Sequence, residues 1–264
     1  MRRRGFALLA VLWMLVAVTA LAAVALSVAR IGGATTRNRV LLARAAWARE
    51  ACIEMLQARY AADQRFRHLD TVDLGRGTWC AAALEDPAAR LNVNVATRDE
   101  LVRLLSGVWR SPFDSALADS LLRRRPFADL AQVITVPGFD SALVARLAPF
   151  LSTRGMGAVN VNAAPAEVLR ALPGVGDEEV LAITAARAIR PLASADELAA
   201  RLSPGGRVRV YEDYQSFVRA TLFSPAQLVA YASGGVRGTH LVARATLTCV
   251  PLPERLAVIR REVE

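Results

Sequence analysis

Between Arg4 and Arg30 the chain carries no charged residue, and only Thr19 and Ser27 break an otherwise apolar or glycine run. The uncharged stretch, residues 5–29, is 25 residues long. About 20 helical residues cross the hydrocarbon core of a bilayer. The apolar part of a secretory signal is usually about 7–15 residues, so the run is long for a discarded signal. Small residues from Ala20 to Ala25 still offer a signal-peptidase site. Two readings therefore stand side by side, a retained anchor and a removed signal.

The helix does not stop where the charges return. Val40, Leu41, Ala45, Ala48, Cys52, Leu56 and Tyr60 recur at roughly helical spacing. This predicts one long helix, embedded in a membrane over residues 6–29 and packed on a domain at its end. Gly32 and Gly33 are expected to loosen it at the membrane boundary.

The formal charge is +9, and every basic residue is arginine. With many Ala and Leu, that looks like coding bias, so basicity alone argues weakly for nucleic acid. His68 and His240 stand far apart without acidic neighbours at ligand spacing. No nucleophile–base pair or metal cluster is legible, and the expectation is that the chain is not an enzyme. The three cysteines, Cys52, Cys80 and Cys249, match no zinc pattern. Cys52 falls on the amphipathic helix, and the other two on strand-like text. Alternation puts Cys249 on an apolar face with Leu241, Ala243, Ala245 and Leu247. A Cys80–Cys249 bridge is one reading, open to an exported protein; three buried free thiols is the other.

The middle of the chain repeats. Asn92, Asn94 and Leu101 align with Asn160, Asn162 and Val168 or Leu169 after a shift of 68 residues, and each copy is followed by an Arg-Pro, at Arg125 and Arg190. Residues 90–206 thus read as a duplicated helical insert, with Thr97 and Asn162 as cap or turn positions. Within it, Leu172-Pro173-Gly174-Val175-Gly176 resembles the turn of a helix-hairpin-helix motif. Leu169 and Leu172 would close the first helix, and Val180 and Ile183 would carry the second. Pro137 and Gly138 mark a looser copy. In that motif backbone amides hold a phosphate. Here Asp177, Glu178 and Glu179 follow one turn and Asp140 the other, and acids there suit the helix dipole but repel phosphate. The turns are expected to be structural, with no nucleic acid bound.

The insert is bracketed by strand-like text. "GTWCAAALEDPAARLNVN" reads as a strand followed by a turn at Asp86-Pro87. After Gly206 come "VRVYEDYQSFVRATLF", "HLVARATLTCV" and "RLAVIRREV". The expected class is α+β: a long N-terminal transmembrane helix packed on a small antiparallel sheet. Residues 30–89 and 207–264 would form the domain built on that sheet.

The N-terminus resembles a type IV prepilin leader, in which a short basic segment ends in glycine before an apolar run. The resemblance implies a leader of residues 1–5 with Arg2, Arg3 and Arg4. It also implies prepilin peptidase cleavage between Gly5 and Phe6, and N-methylation of Phe6. Glycine suits a protease site, and the arginines hold that end on the cytoplasmic side. Ala10 then stands at the fifth mature position, where most pilins and pseudopilins have Glu. Lack of that Glu, together with asparagine-rich turns and hairpins inserted in a small pilin-like sheet, resembles the protein K family of type II secretion minor pseudopilins.

That resemblance implies a single-pass inner-membrane protein with a periplasmic C-terminal domain. It would sit at the tip of the pseudopilus and help initiate or cap assembly. The implied partners are the I and J minor pseudopilins, the major pseudopilin, prepilin peptidase and the inner-membrane secretion platform. No cofactor is expected, although some relatives bind calcium, for which Asp86, Asp114 and Asp119 could supply oxygens. The alternative is a membrane-anchored helix-hairpin-helix DNA receptor of the competence type. Such receptors usually carry the motif at the C-terminus after a flexible linker, and this chain has neither feature.

Overall fold

The computed structural model describes residues 3–109, 114–212 and 214–263. Helix α1 (Arg3–Ala62) runs unbroken through Gly32 and Gly33. Its polar interruptions are satisfied within the helix. The hydroxyls of Thr19, Ser27, Thr35 and Thr36 each bond to the carbonyl one turn earlier, as an apolar solvent requires. The apolar side chains from Leu9 to Ile31 are exposed and pack on no other part of the chain.

Strands β1 (His68–Gly75) and β2 (Thr78–Glu85) follow as a hairpin. A 3-10 turn at Pro87–Ala89, capped by Asp86, leads into β3 (Leu91–Asn92). Next come α2 (Arg98–Val108), α3 (Asp114–Arg124), a 3-10 segment (Leu130–Thr135), α4 (Ser141–Leu147) and β4 (Leu151–Ser152). A second series holds β5 (Val159–Asn160), α5 (Ala166–Ala171), α6 (Asp177–Ile189), α7 (Ala195–Arg201), α8 (Pro204–Glu212), α9 (Tyr214–Ala220) and β6 (Thr221–Leu222). The chain closes with β7 (Leu228–Val236), β8 (Val242–Leu252) and β9 (Arg255–Val263).

The main sheet is antiparallel, in the order β1-β2-β7-β8-β9. Glu85 stands opposite Val229. Residues 86–228 therefore leave and re-enter the sheet at neighbouring backbone positions, about 5 Å apart.

The second half of α1 lies on one face of this sheet. Ala45, Ala48, Cys52, Leu56 and Tyr60 are buried there, as their spacing predicts; Val40 is exposed instead, because it precedes the sheet contact. Opposite them β7 presents Ala230, Ala232 and Gly234, which alternate toward the helix. The contact is close: a β-carbon at Gly234 would stand 2.3 Å from the Arg49 amide nitrogen. Larger side chains come from the flanks, with Leu84 on β2 and Leu247 on β8. Each buried leucine contributes about 1.5–3 kcal/mol.

Residues 91–217 bury a separate core of their own, built from α2 to α9. Its two halves share one plan. In each, a short strand ends in Asn-X-Asn. The first asparagine accepts from the amide of the second, at 2.9 Å for Asn92–Asn94 and 3.0 Å for Asn160–Asn162. The second then clamps the backbone after the Arg-Pro. Asn94 accepts from the Phe127 amide at 2.8 Å and donates to the Phe127 carbonyl at 2.9 Å. Asn162 does the same with Leu192, at 2.9 Å both ways. Parallel pairs β3–β4 and β5–β6 close the two halves. Helices α2 and α5 meet between them, and Arg103 Nε donates to the Ala171 carbonyl at 2.9 Å.

The text after Gly206 departs from the expected strand. Residues 204–212 and 214–220 are helical. Ser203 accepts from the Gly206 amide at 3.0 Å, and Pro204 occupies the first helical position. Phe217 is fully buried in the insert core, with Ala220 packed beside it. The aromatic and β-branched residues here serve a helix face, so the insert runs on to β6 and the sheet resumes at Leu228.

Candidate assembly surface

The residues singled out in the sequence fall on α1, on the sheet it lies on, and on the insert. Gly5, Phe6 and Ala10 all lie in α1; Arg2 lies outside the described residues. Ala10 is exposed, one turn before Trp13 and Met14 in the same apolar run. No acidic residue precedes Glu50 along α1.

Where α1 reaches the sheet, it is held covalently. Cys52 and Cys80 form a disulfide, with Cα atoms 5.9 Å apart, and Cys249 is a free, buried thiol. This corrects both readings of the cysteines, the Cys80–Cys249 bridge and three free thiols. The reason is topological. Cys80 on β2 stands opposite Gly234 and Cys249 on β8 opposite Leu228, on either side of β7. Two strand spacings of about 4.8 Å already exceed the reach of a disulfide, and the register offset along β7 adds more. Cys249 does lie on the apolar face, with Ala243, Ala245 and Leu247. Burial pushes its thiol up to about 11.

A charged cluster locks the far end of the sheet to α1. Arg49 bonds Glu50 at 2.6 Å and the Arg244 carbonyl at 3.3 Å, and Arg261 from β9 also bonds Glu50. Burial works to raise the Glu50 carboxyl, and the bonds from Arg261 and Arg49 outweigh it, so it sits below its usual range.

The insert meets the sheet through Asp86 and Arg154. Asp86 accepts from the Ala88 amide at 2.9 Å and from Asn160 Nδ2 at 2.7 Å. Burial raises its carboxyl despite those bonds. Arg154 pairs with Glu262 of β9 at 3.2 Å. Asp119 pairs instead with Arg98 at 2.7 Å, and Asp114 is buried at the start of α3. These three aspartates do not form a donor set. Among the described residues no group of three or more His, Cys, Asp or Glu side chains could hold a metal ion.

Both proline-glycine turns have the same backbone. Gly138 and Gly174 take φ of 92° and 69°, and each turn closes with a bond back to the residue before its proline, Phe139 to Val136 at 3.1 Å and Val175 to Leu172 at 3.4 Å. Pro then Gly at the central positions is a type II turn. Between α5 and α6 it joins two helices; before α4 the leading element is the 3-10 segment Leu130–Thr135. In both, the helix N-terminus is occupied by the protein's own carboxylate. Asp140 accepts from the Leu143 amide at 2.7 Å, and Glu179, almost fully buried, accepts from the Gly176 amide at 2.7 Å. Asp177 is engaged by Arg170 at 2.6 Å.

The second half of the insert matches a family model. Residues 159–215 fit the model for protein K of the type II secretion system. The fold as a whole matches a chain in the crystal structure of the GspK-GspI-GspJ complex from the enterotoxigenic Escherichia coli type 2 secretion system. That match has a TM-score of 0.64 and 16% identity, and covers 87% of this chain and 99% of that one. Both comparisons point to similarity with the type II secretion protein K family. No curated protein sequence shows significant similarity to it. The structural match shows the fold, and the family match is confined to the insert. The apolar part of α1 is long enough to cross a membrane once.

Sequence reasoning missed two parts of this surface. Strand β7, central in the sheet, is rich in Ala, Gly and Ser and carries a weak strand signal. The Arg49–Glu50–Arg261 cluster joins residues more than two hundred positions apart, and no local pattern marks it.

Proposed function

We propose that this chain is a minor pseudopilin at the tip of the type II secretion pseudopilus, where it helps initiate or cap assembly with the I and J minor pseudopilins. The observation that carries the reading is the combination of a long apolar helix lacking a carboxylate at Ala10 with a large domain spliced between β2 and β7. A buried carboxylate in a membrane helix costs a few kcal/mol unless a partner meets it. A shaft subunit needs that pairing with the amine of its neighbour; a subunit with nothing above it does not. The insert adds bulk beside the sheet on which that helix packs. The Cys52–Cys80 disulfide supports exposure of the domain to an oxidising compartment such as the periplasm.

In this reading prepilin peptidase cuts between Gly5 and Phe6 and Phe6 is then N-methylated. The major pseudopilin and the inner-membrane secretion platform complete the assembly. Co-expression with a prepilin peptidase, followed by mass spectrometry, is expected to yield a methylated chain beginning at Phe6, and Gly5→Val to block cleavage. A start between Ala22 and Leu26 points to signal peptidase and overturns the reading. Cysteine crosslinking along assembled fibres then tests the tip position. Crosslinks to I-type and J-type subunits only are expected; self-crosslinks along the shaft exclude a cap.

A further inference from the structure

One cleft of the molecule lies where the chain would leave the membrane. It opens between α1 and the turn joining β7 to β8, with a volume of about 700 Å³. The helix side is a single stripe that includes Arg30, Gly33, Ala34, Arg37 and Asn38, spaced three and four apart. This is the face that continues into Ala45, Ala48 and Cys52 and packs on the sheet. Gly33 and Ala34 are too small to fill the gap before that contact begins. The opposite wall is the turn itself, with Gly238, Thr239 and His240. Thr239 holds the turn in shape, its hydroxyl donating to the Val236 carbonyl at 2.7 Å and Gly238 taking a φ of 76°. The lining holds two arginines, a histidine and no carboxylate.

We propose that this cleft seats the phosphate of an anionic phospholipid head group. Its level in the membrane points to that ligand. The uncharged run ends at Ala29, and the head-group layer beyond the hydrocarbon core is only about 5–7 Å deep. Arg30 is the first charge past the core. Arg37 stands two turns on, about 10 Å further along the axis, but helical side chains lean toward the N-terminus. That lean brings its guanidinium within reach of the head-group layer. Arginine forks match phosphate oxygens in bidentate geometry.

The proposal rests on the membrane-anchored reading of α1, and the test separates the two. The full chain is reconstituted in phosphatidylcholine vesicles with or without phosphatidylglycerol, extracted in mild detergent, and its retained lipid identified by native mass spectrometry. Phosphatidylglycerol is expected to be enriched roughly tenfold or more over its share of the vesicle. Arg30→Gln with Arg37→Gln is expected to abolish the enrichment while the chain still inserts; Arg30→Lys with Arg37→Lys keeps charge, loses the fork, and is expected to retain part of it. Equal retention of both lipids, or enrichment unchanged in the glutamine variant, overturns the proposal and leaves the anchor standing. Millimolar inorganic phosphate that displaces the lipid signal identifies a free-anion site and also overturns it. Failure to float with any vesicle overturns the anchor itself.

Discussion

Gly234 of β7 lies so close to Ala45 of α1 that a β-carbon added to the glycine would stand 2.4 Å from the Ala45 carbonyl oxygen. No side chain can relax that clash, because both neighbours at that distance are helix backbone. The helix-on-sheet spacing is set there, and the disulfide from Cys52 on the same helix face holds it.

The first prediction follows from that contact. Gly234→Ala is expected to lower the stability of the soluble fragment from residue 30 onward by about 1–3 kcal/mol, through overpacking. Gly107, inside α2 with open space around it, is the contrasting site; Gly107→Ala is expected to raise stability by about 0.5–1 kcal/mol. Urea unfolding of both variants measures this. Equal effects at the two positions would mean that α1 does not approach β7 this closely.

The second prediction concerns the cysteines. Reduction, or Cys52→Ala with Cys80→Ala, is expected to cost about 2–4 kcal/mol. Cys249→Ala is expected to leave the redox dependence unchanged. In the native protein Cys249 is expected to resist alkylation near pH 8, because a thiol raised from 9.0 to about 11 holds roughly a hundredfold less thiolate. The sign of the pH effect follows. The folded state keeps its proton to higher pH than the unfolded one, so this contribution is intact below about pH 9 and fades by about pH 11, a loss of ~2 kcal/mol. Peptide mapping that finds Cys249 in a disulfide contradicts the pairing.

A third prediction addresses the duplicated insert. Asn94→Ala and Asn162→Ala each leave a buried backbone amide and carbonyl without their partner. Each is expected to cost about 1–3 kcal/mol. The two clamps share no partner, so the double variant is expected to be near additive. An Asn162→Ala variant as stable as wild type shows that the clamp is unimportant.

The fourth prediction tests the competence-receptor alternative. With Asp140 and Glu179 already occupying the helix N-termini after the two turns, the soluble fragment is expected to bind duplex DNA only weakly and to lose it at physiological salt. Sub-micromolar binding at that salt, lost in Gly174→Val, would favour the DNA receptor.

Much of this fold was legible in the sequence, for reasons that can be stated. The uncharged run and the stripe from Ala45 to Tyr60 are local patterns, and local patterns survive folding. The Asn-X-Asn copies are legible because each performs the same backbone task. The cysteine pairing was not legible, since it depends on β7 lying between β2 and β8. Strand β7 itself was hidden by its small residues, which the helix above it requires. Helices α8 and α9 were hidden by the opposite effect: their aromatic and β-branched residues imitate a strand, while Phe217 answers to the insert core. The proposed cleavage between Gly5 and Phe6 would be made by a separate peptidase, and its signal is a local one in the sequence.

The pairing of Glu85 with Val229 has a mechanical consequence. A pull along α1 passes into the sheet through the packed stripe, the Cys52–Cys80 bond and the Glu50 cluster. None of that path runs through residues 86–227, which are spliced between two adjacent strands. The inserted domain is attached in parallel with the line of force, not in series. It can be strained, reshaped or even partly unfolded while the tension between helix and sheet is carried past it.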